Sequence, residues 1–179
     1  MLKLSTNVVF QNAWVVGDPD AAIDYWTRLM GVGPFYGMEW ESGEGFTYRG
    51  APGHLKMKVY WAQAGDVQIE LIDVLSDGPN VYRDLVPAGE TRFHHVCFWS
   101  DDYERDIAAM EAAGYPLAMA PGDVPTRFAY FDSSAANNQM IEILERDEGI
   151  AGTFAKIAEI GAKWDGERPV RRFEELFAG

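Results

Sequence analysis

Two rhythms alternate along the chain, a two-residue apolar period and a helical one, and the same order of rhythms occurs twice. VVFQNAWVV (8–16) and FHHVCFW (93–99) read as strands. Each is followed by an Asp placed to cap a helix, Asp18 or Asp102, and then by an amphipathic helix stopped at a glycine, Gly31 or Gly114. Pro19 falls at the first helical position, where its missing N–H costs nothing. With Gln11 aligned on His95, 84 positions later, Asp18 falls on Asp102 and Ile23 on Ile107. Strand-like segments follow each helix, at about 38–49, 54–63 and 66–75 in the first copy and about 116–120, 126–133 and 138–145 in the second. A βαβββ order written twice predicts an α+β fold of two modules, residues 1–75 and 92–146. Residues 76–91 carry Gly and Pro at both ends and read as the linker, with a helical turn at 79–86. Residues 147–179 lie outside the repeat as a helical extension, with a helix near 150–163, suited to cover an open face or a partner subunit.

Four polar residues interrupt strands that are otherwise apolar: Gln11, Glu70 in VQIELIDV, His95, and Glu142 in QMIEILE. Gln11 and His95 sit in the first strand of each copy, and Glu70 and Glu142 in the last. An ionised carboxylate in an apolar strand costs several kcal/mol unless a positive group compensates it, and a divalent cation does this well. Strand alternation puts Gln11 with Ala13 and Val15, and His95 with Cys97 and Trp99, while the neighbours of Glu70 and Glu142 point the other way. The four therefore share one concave face, with helices packing the other. Competing readings stand beside this one. Gln11 is also a plausible strand-edge residue, His95 a satisfied core histidine, and Glu70 and Glu142 partners for Arg127 or Lys58 across strands. His94 falls on the opposite face as a structural residue, and Cys97 is an inert buried thiol. Most aromatics are core by default. Trp99, Tyr60 and Phe128 are candidates to line an apolar substrate pocket, and Arg49, Arg92 and Arg127 to hold an anionic group.

Composition narrows the function. At 179 residues, 47% apolar, the chain can bury a sizeable core. Its net charge of −13 repels phosphate backbones and anionic lipid, so nucleic acid and membranes are excluded as partners and a small molecule is favoured. The single Cys97 rules out an internal disulfide and fits a reducing compartment. Neither a signal peptide nor an 18-residue apolar stretch is evident, so the expected location is cytoplasmic.

These residues resemble the vicinal oxygen chelate superfamily, which includes glyoxalase I, methylmalonyl-CoA epimerase, extradiol dioxygenases and the fosfomycin and bleomycin resistance proteins. The likeness spans about residues 8–146. It implies two βαβββ modules curled edge to edge into an open, cup-shaped mixed sheet with helices outside. It also implies one divalent ion (Zn, Ni, Mn, Co or Mg) on Gln11, Glu70, His95 and Glu142, the glyoxalase I type of ligand set. The opening Q-x-x-x-x-V-x-D-P, Gln11 to Pro19, is similar to that of glyoxalase I. Two glutathione-binding positions of that enzyme are here Val15 and Val74, which argues against a glutathione adduct as substrate. One histidine alone argues against extradiol cleavage. The resemblance thus implies a metal-dependent lyase or isomerase on a small, largely apolar carbonyl compound. Glu142 would be its base, and Glu70 a ligand or second base. The alternatives are an acyl-CoA epimerase and a non-catalytic protein that binds a hydrophobic compound. A homodimer is expected, because open-edged cups need covering.

Overall fold

The computed structural model describes residues 2–178. Its strands form one mixed sheet, open at both edges, that curls into a cup. In the first copy β1 (Val9–Val15) leads into α1 (Pro19–Asp24) and a π-helical turn over Tyr25–Leu29, then β2 (Phe35–Glu41). Asp18 caps α1 by accepting from the Ala21 N–H at 3.0 Å. Next comes a small hairpin, β3 (Thr47–Tyr48) and β4 (Ala51–Pro52), followed by β5 (Lys56–Ala64) and β6 (Val67–Val74). The second copy repeats the order with β7 (Arg92–Ser100), α2 (Tyr103–Ala112), β8 (Leu117–Ala120), β9 (Phe128–Asp132), a short α3 (Ser134–Asn137) and β10 (Met140–Glu145). Asp102 caps α2 through the Arg105 N–H at 3.4 Å.

Strand order makes the duplication explicit. Across the sheet it reads β2-β5-β6-β1 and then β7-β10-β9-β8, with β1 antiparallel to β7 at the seam. In each half the first and last strands run parallel and the others antiparallel. Both halves of one chain therefore share one cup. The expected strand at 38–49 is broken: β2 stops at Glu41, and the chain turns at Gly45 (φ 79°) into the hairpin. That hairpin crosses to the far edge, where β3 pairs with β8 of the other half.

The C-terminal extension fills the cup's mouth. Asp147 caps α4 (Glu148–Gly161) by accepting from the Ile150 N–H at 3.0 Å, and it holds the Thr126 hydroxyl at 2.7 Å. Ile150, Phe154 and Ile157 recur at helical spacing, and this stripe packs into a cluster with Phe10, Tyr36, Cys97 and Leu144. A last strand, β11 (Val170–Arg172), then pairs with β2. The outer face of the first half is packed by α1 through Ile23, and that of the second by α2 through Met110. The segment 76–91 is more than a linker. Its turn over residues 80–86 buries Val81, Tyr82 and Val86 completely. Among the described residues, no helix is long and apolar enough to cross a membrane.

Candidate functional site

Pairing register brings the polar side chains together. Ala13 on β1 stands opposite Glu70 on β6 and opposite His95 on β7. Its methyl group is the only side chain between them, so they meet across it. Gln11 is level with Cys97, and Cys97 with Glu142 on β10. His95 Nε2 lies 3.0 Å from Glu142 Oε2 and 3.3 Å from Glu70 Oε2, and one ligand atom from each of the three lies within 4.8 Å of the others. All three are buried. Glu70 Oε1 accepts from the Trp61 indole N–H at 2.9 Å, whereas Glu70 Oε2 has no hydrogen-bond partner despite its proximity to His95. Gln11 donates from Nε2 to Gln68 Oε1 at 2.6 Å, which leaves its carbonyl oxygen unused by that bond.

The electrostatics follow from burial. Loss of water disfavours charge on His95, but the facing carboxylates of Glu142 and Glu70 outweigh it and hold the imidazole pKa at about 9. Burial pushes the Glu70 carboxyl up, against the pull of His95. Burial likewise raises the Cys97 thiol and the Tyr82 and Tyr130 phenols well above their ordinary values. A buried carboxylate oxygen that faces an imidazole at 3.3 Å without a hydrogen bond is the feature a cation would complete. Two carboxylates and one imidazole within 4.8 Å of one another suit a borderline-to-hard divalent ion, so this trio fits the group the resemblance implies, and Gln11 faces the same cavity.

Above the trio lies a cavity of about 330 Å³. Gln11, Glu70, Glu142 and Tyr130 face it from the sheet, and Trp40, Met57, Trp61, Phe128 and Phe154 make its walls. Among the described residues, no Lys or Arg lines it. Larger depressions, of about 560 and 550 Å³, are surface grooves along β2 and β11 and beside α1, distant from the carboxylates.

Several expectations need correction. Tyr60 does not line the cavity: its ring lies over Gly37 on the outer face, and the adjacent Trp61 points inward instead. Lys56 and Lys58, which share the parity of Tyr60 and reach Glu39 and Glu41, marked that wet face in advance. Trp99 stands behind the wall, stacked on Phe10 at 3.8 Å between ring centroids. A bulge at Phe10 turns that ring to the inner side, against simple alternation. Arg127 faces outward, paired with Glu145 and Glu104 and set over the Tyr103 ring at 4.6 Å. Arg49 pairs with Asp84 and Asp132, Arg92 with Glu90, and Lys58 with Glu39, so none of them neutralises the buried acids. Phe128 lines the cavity. Trp40, Trp61 and Tyr130 pack in the core between the two halves and also face the cavity.

His94 is also misplaced by alternation. A second bulge leaves it without a partner on β1: Ala13 pairs with His95 and Trp14 with Phe93. The two imidazoles consequently meet, Nδ1 to Nδ1, at 2.9 Å. Burial, and then the charge of His95, push the His94 pKa well below its usual value.

A family model described as the Glyoxalase/Bleomycin resistance protein/Dioxygenase superfamily matches residues 10–131. No curated protein matches the sequence. Among solved structures, a hypothetical protein of Bacillus halodurans C-125 is similar at 17% identity and a TM-score of 0.57, over 80% of this chain and 97% of its own. Methylmalonyl-CoA epimerase from Mycobacterium tuberculosis is similar at 17% identity and a TM-score of 0.57, over 84% and 97%. A Streptomyces coelicolor methylmalonyl-CoA epimerase variant in complex with 2-nitronate-propionyl-CoA follows at 16% identity and a TM-score of 0.55, over 79% and 95%. At these identities the likeness speaks for the fold.

Proposed function

The chain belongs to the Glyoxalase/Bleomycin resistance protein/Dioxygenase superfamily, and from that premise we propose a metal-dependent lyase or isomerase acting on a small, largely apolar carbonyl compound. One observation carries the reading: Glu70, His95 and Glu142 converge, buried, beneath an apolar cavity, with one Glu70 oxygen held by charge alone and without a hydrogen bond. Gln11, Glu70, His95 and Glu142 would hold the ion. When bound, a divalent cation polarises a substrate carbonyl and steadies the charge that develops when the adjacent C–H is deprotonated.

The remaining chemistry belongs to side chains. Glu142 faces the cavity and takes the proton, then returns it to the neighbouring carbon. Tyr130 stays protonated through burial, with the Tyr82 hydroxyl 3.2 Å behind it, and is a donor for a substrate oxygen. Trp40, Trp61, Phe128 and Phe154 bind the apolar body of the substrate and exclude water. The lining carries no cation for a glutathione carboxylate, in keeping with Val15 and Val74.

Two experiments test this. Elemental analysis should find one divalent ion per chain, removable by chelator. Glu142→Gln should retain the ion yet lose turnover by about 10²-fold or more. A Glu142→Gln protein with full turnover would end the assignment of the base.

A second reading, an acyl-CoA epimerase, has the fold of the methylmalonyl-CoA epimerases behind it. It keeps the same proton transfer, and a cavity of about 330 Å³ without a basic residue speaks against the CoA portion. Epimerisation of methylmalonyl-CoA by the purified protein would decide for it. Ion-free protein, indifferent to chelator, that binds hydrophobic compounds tightly would point instead to sequestration. A homodimer and a cytoplasmic location belong to the same proposal, with sedimentation equilibrium and fractionation as their checks.

A further inference from the structure

The hydrogen-bond pattern of the two adjacent histidines has one consistent proton assignment. His94 Nε2 faces the carbonyl oxygen of Val81 at 3.1 Å, and a carbonyl only accepts, so Nε2 carries a proton. His94 is fully buried and takes part in no ion pair among the described residues, so the neutral ring is the stable form. Its Nδ1 then bears a lone pair, which the 2.9 Å contact directs at His95 Nδ1. His95 Nδ1 must therefore be the donor. Its other nitrogen, Nε2, is the one turned to Glu70 and Glu142.

We propose that His94 is a positioning residue: through a chain of two hydrogen bonds, from His95 to His94 to the Val81 carbonyl, it fixes His95 with the proton on Nδ1 and offers Nε2 to the cation. The inference rests on the metal reading of the trio. It also gives the segment between the two halves a task. Asn80 accepts from the backbone N–H groups of Tyr82 and Arg83, each at 3.1 Å, and the turn closes through Val86 N to Tyr82 O at 3.0 Å. The Val81 carbonyl is thereby held beneath His94. Tyr82, the next residue, packs against the His94 ring with centroids 4.9 Å apart. The bulge in β7 completes the device, because regular alternation would send the His94 ring to the opposite face. Orienting partners of this kind are worth about 10- to 100-fold in metal affinity.

The test needs no substrate. Nitrogen-15 NMR of the wild-type histidines should show His94 protonated on Nε2 and bare on Nδ1, with or without metal. A proton on His94 Nδ1 overturns the proposal, whatever the variants do. Zn²⁺ affinity, measured by competition with a chromogenic chelator, should fall about 10- to 100-fold in His94→Phe, which keeps the ring shape and loses both bonds. His94→Asn restores an acceptor near the Nδ1 position and should bind within about threefold of wild type. His94→Phe with wild-type affinity and an intact circular dichroism spectrum overturns the positioning role. If His94→Phe does not fold, the NMR assignment decides. Wild-type protein that takes up no Zn²⁺ fails the metal reading itself, and the NMR result then stands apart as a property of the fold.

Discussion

Raising the metal-free protein from pH 6.5 to 8.5 should remove about 2 kcal/mol of stability through His95 alone. The folded imidazole titrates at about 9 against an ordinary 6.5. A raised basic pKa stabilises the fold fully below the unfolded value and loses that contribution as pH climbs through the folded one. The whole shift corresponds to about 3 kcal/mol, with about 2 falling in the first two pH units. Tyrosine ionisation in the unfolded chain lies above that window, and unfolded Cys97 adds only a few tenths of a kcal/mol at its upper end. Glu70 is also raised, so it costs stability from about its ordinary 4.5 upward, and a decline that begins well below pH 6 belongs to it. Urea denaturation in chelator, at a slope of about 3 kcal/mol/M, should show the midpoint dropping by about 0.7 M over the window. Saturating metal should flatten the curve, because the ion takes the proton's place on Nε2. An unchanged midpoint between pH 6.5 and 8.5 would refute the pairing of His95 with the two carboxylates, as would an undiminished fall in His95→Gln.

Three further outcomes are expected. Because the Trp61 indole donates to Glu70 Oε1, metal addition should change tryptophan fluorescence, and Trp61→Phe should remove most of that change. Asp147→Ala should cost about 1–2 kcal/mol in urea unfolding, through the lost α4 cap and the freed Thr126 hydroxyl. Phe154→Ala should cost about 3 kcal/mol and enlarge the cavity, read as tighter binding of a hydrophobic dye to folded protein.

The fold was legible because duplication is written in residues that serve the backbone. Asp18 and Asp102 cap, Gly31 and Gly114 terminate with positive φ, and Glu70 and Glu142 sit at equivalent places in β6 and β10. Convergence of Glu70, His95 and Glu142 was legible for the same reason, since parity within a regular strand fixes the face. Parity fails wherever a strand takes an extra residue. Phe10 and His94 sit at such bulges, and nothing in VVFQNAW or FHHVC announces them. Tyr60 departs from expectation for a different reason. Its strand, KMKVYWAQA, has apolar residues on both faces, and the two lysines were the better guide. Arg127 is a candidate ligand for an anion by sequence, but acids from neighbouring elements, Glu145 and Glu104, claim it, and such pairings are invisible along a single strand. The role of Val81 was out of reach for a related reason: a main-chain carbonyl leaves no trace in residue identity.

The crossing of the β3–β4 hairpin bears on how the protein is made. Thr47 and Tyr48 are synthesised well before Met119 and Ala120, the residues they pair with. On the ribosome the first half therefore emerges with a short ribbon whose docking strand does not yet exist, and the opposite rim of the sheet is finished by a piece of the half that was made first. Cutting the gene at residue 76 would give a leading fragment with that ribbon unsatisfied and a trailing fragment with β8 bare. Mixing the two fragments should restore a single particle, each piece supplying the strand its counterpart lacks.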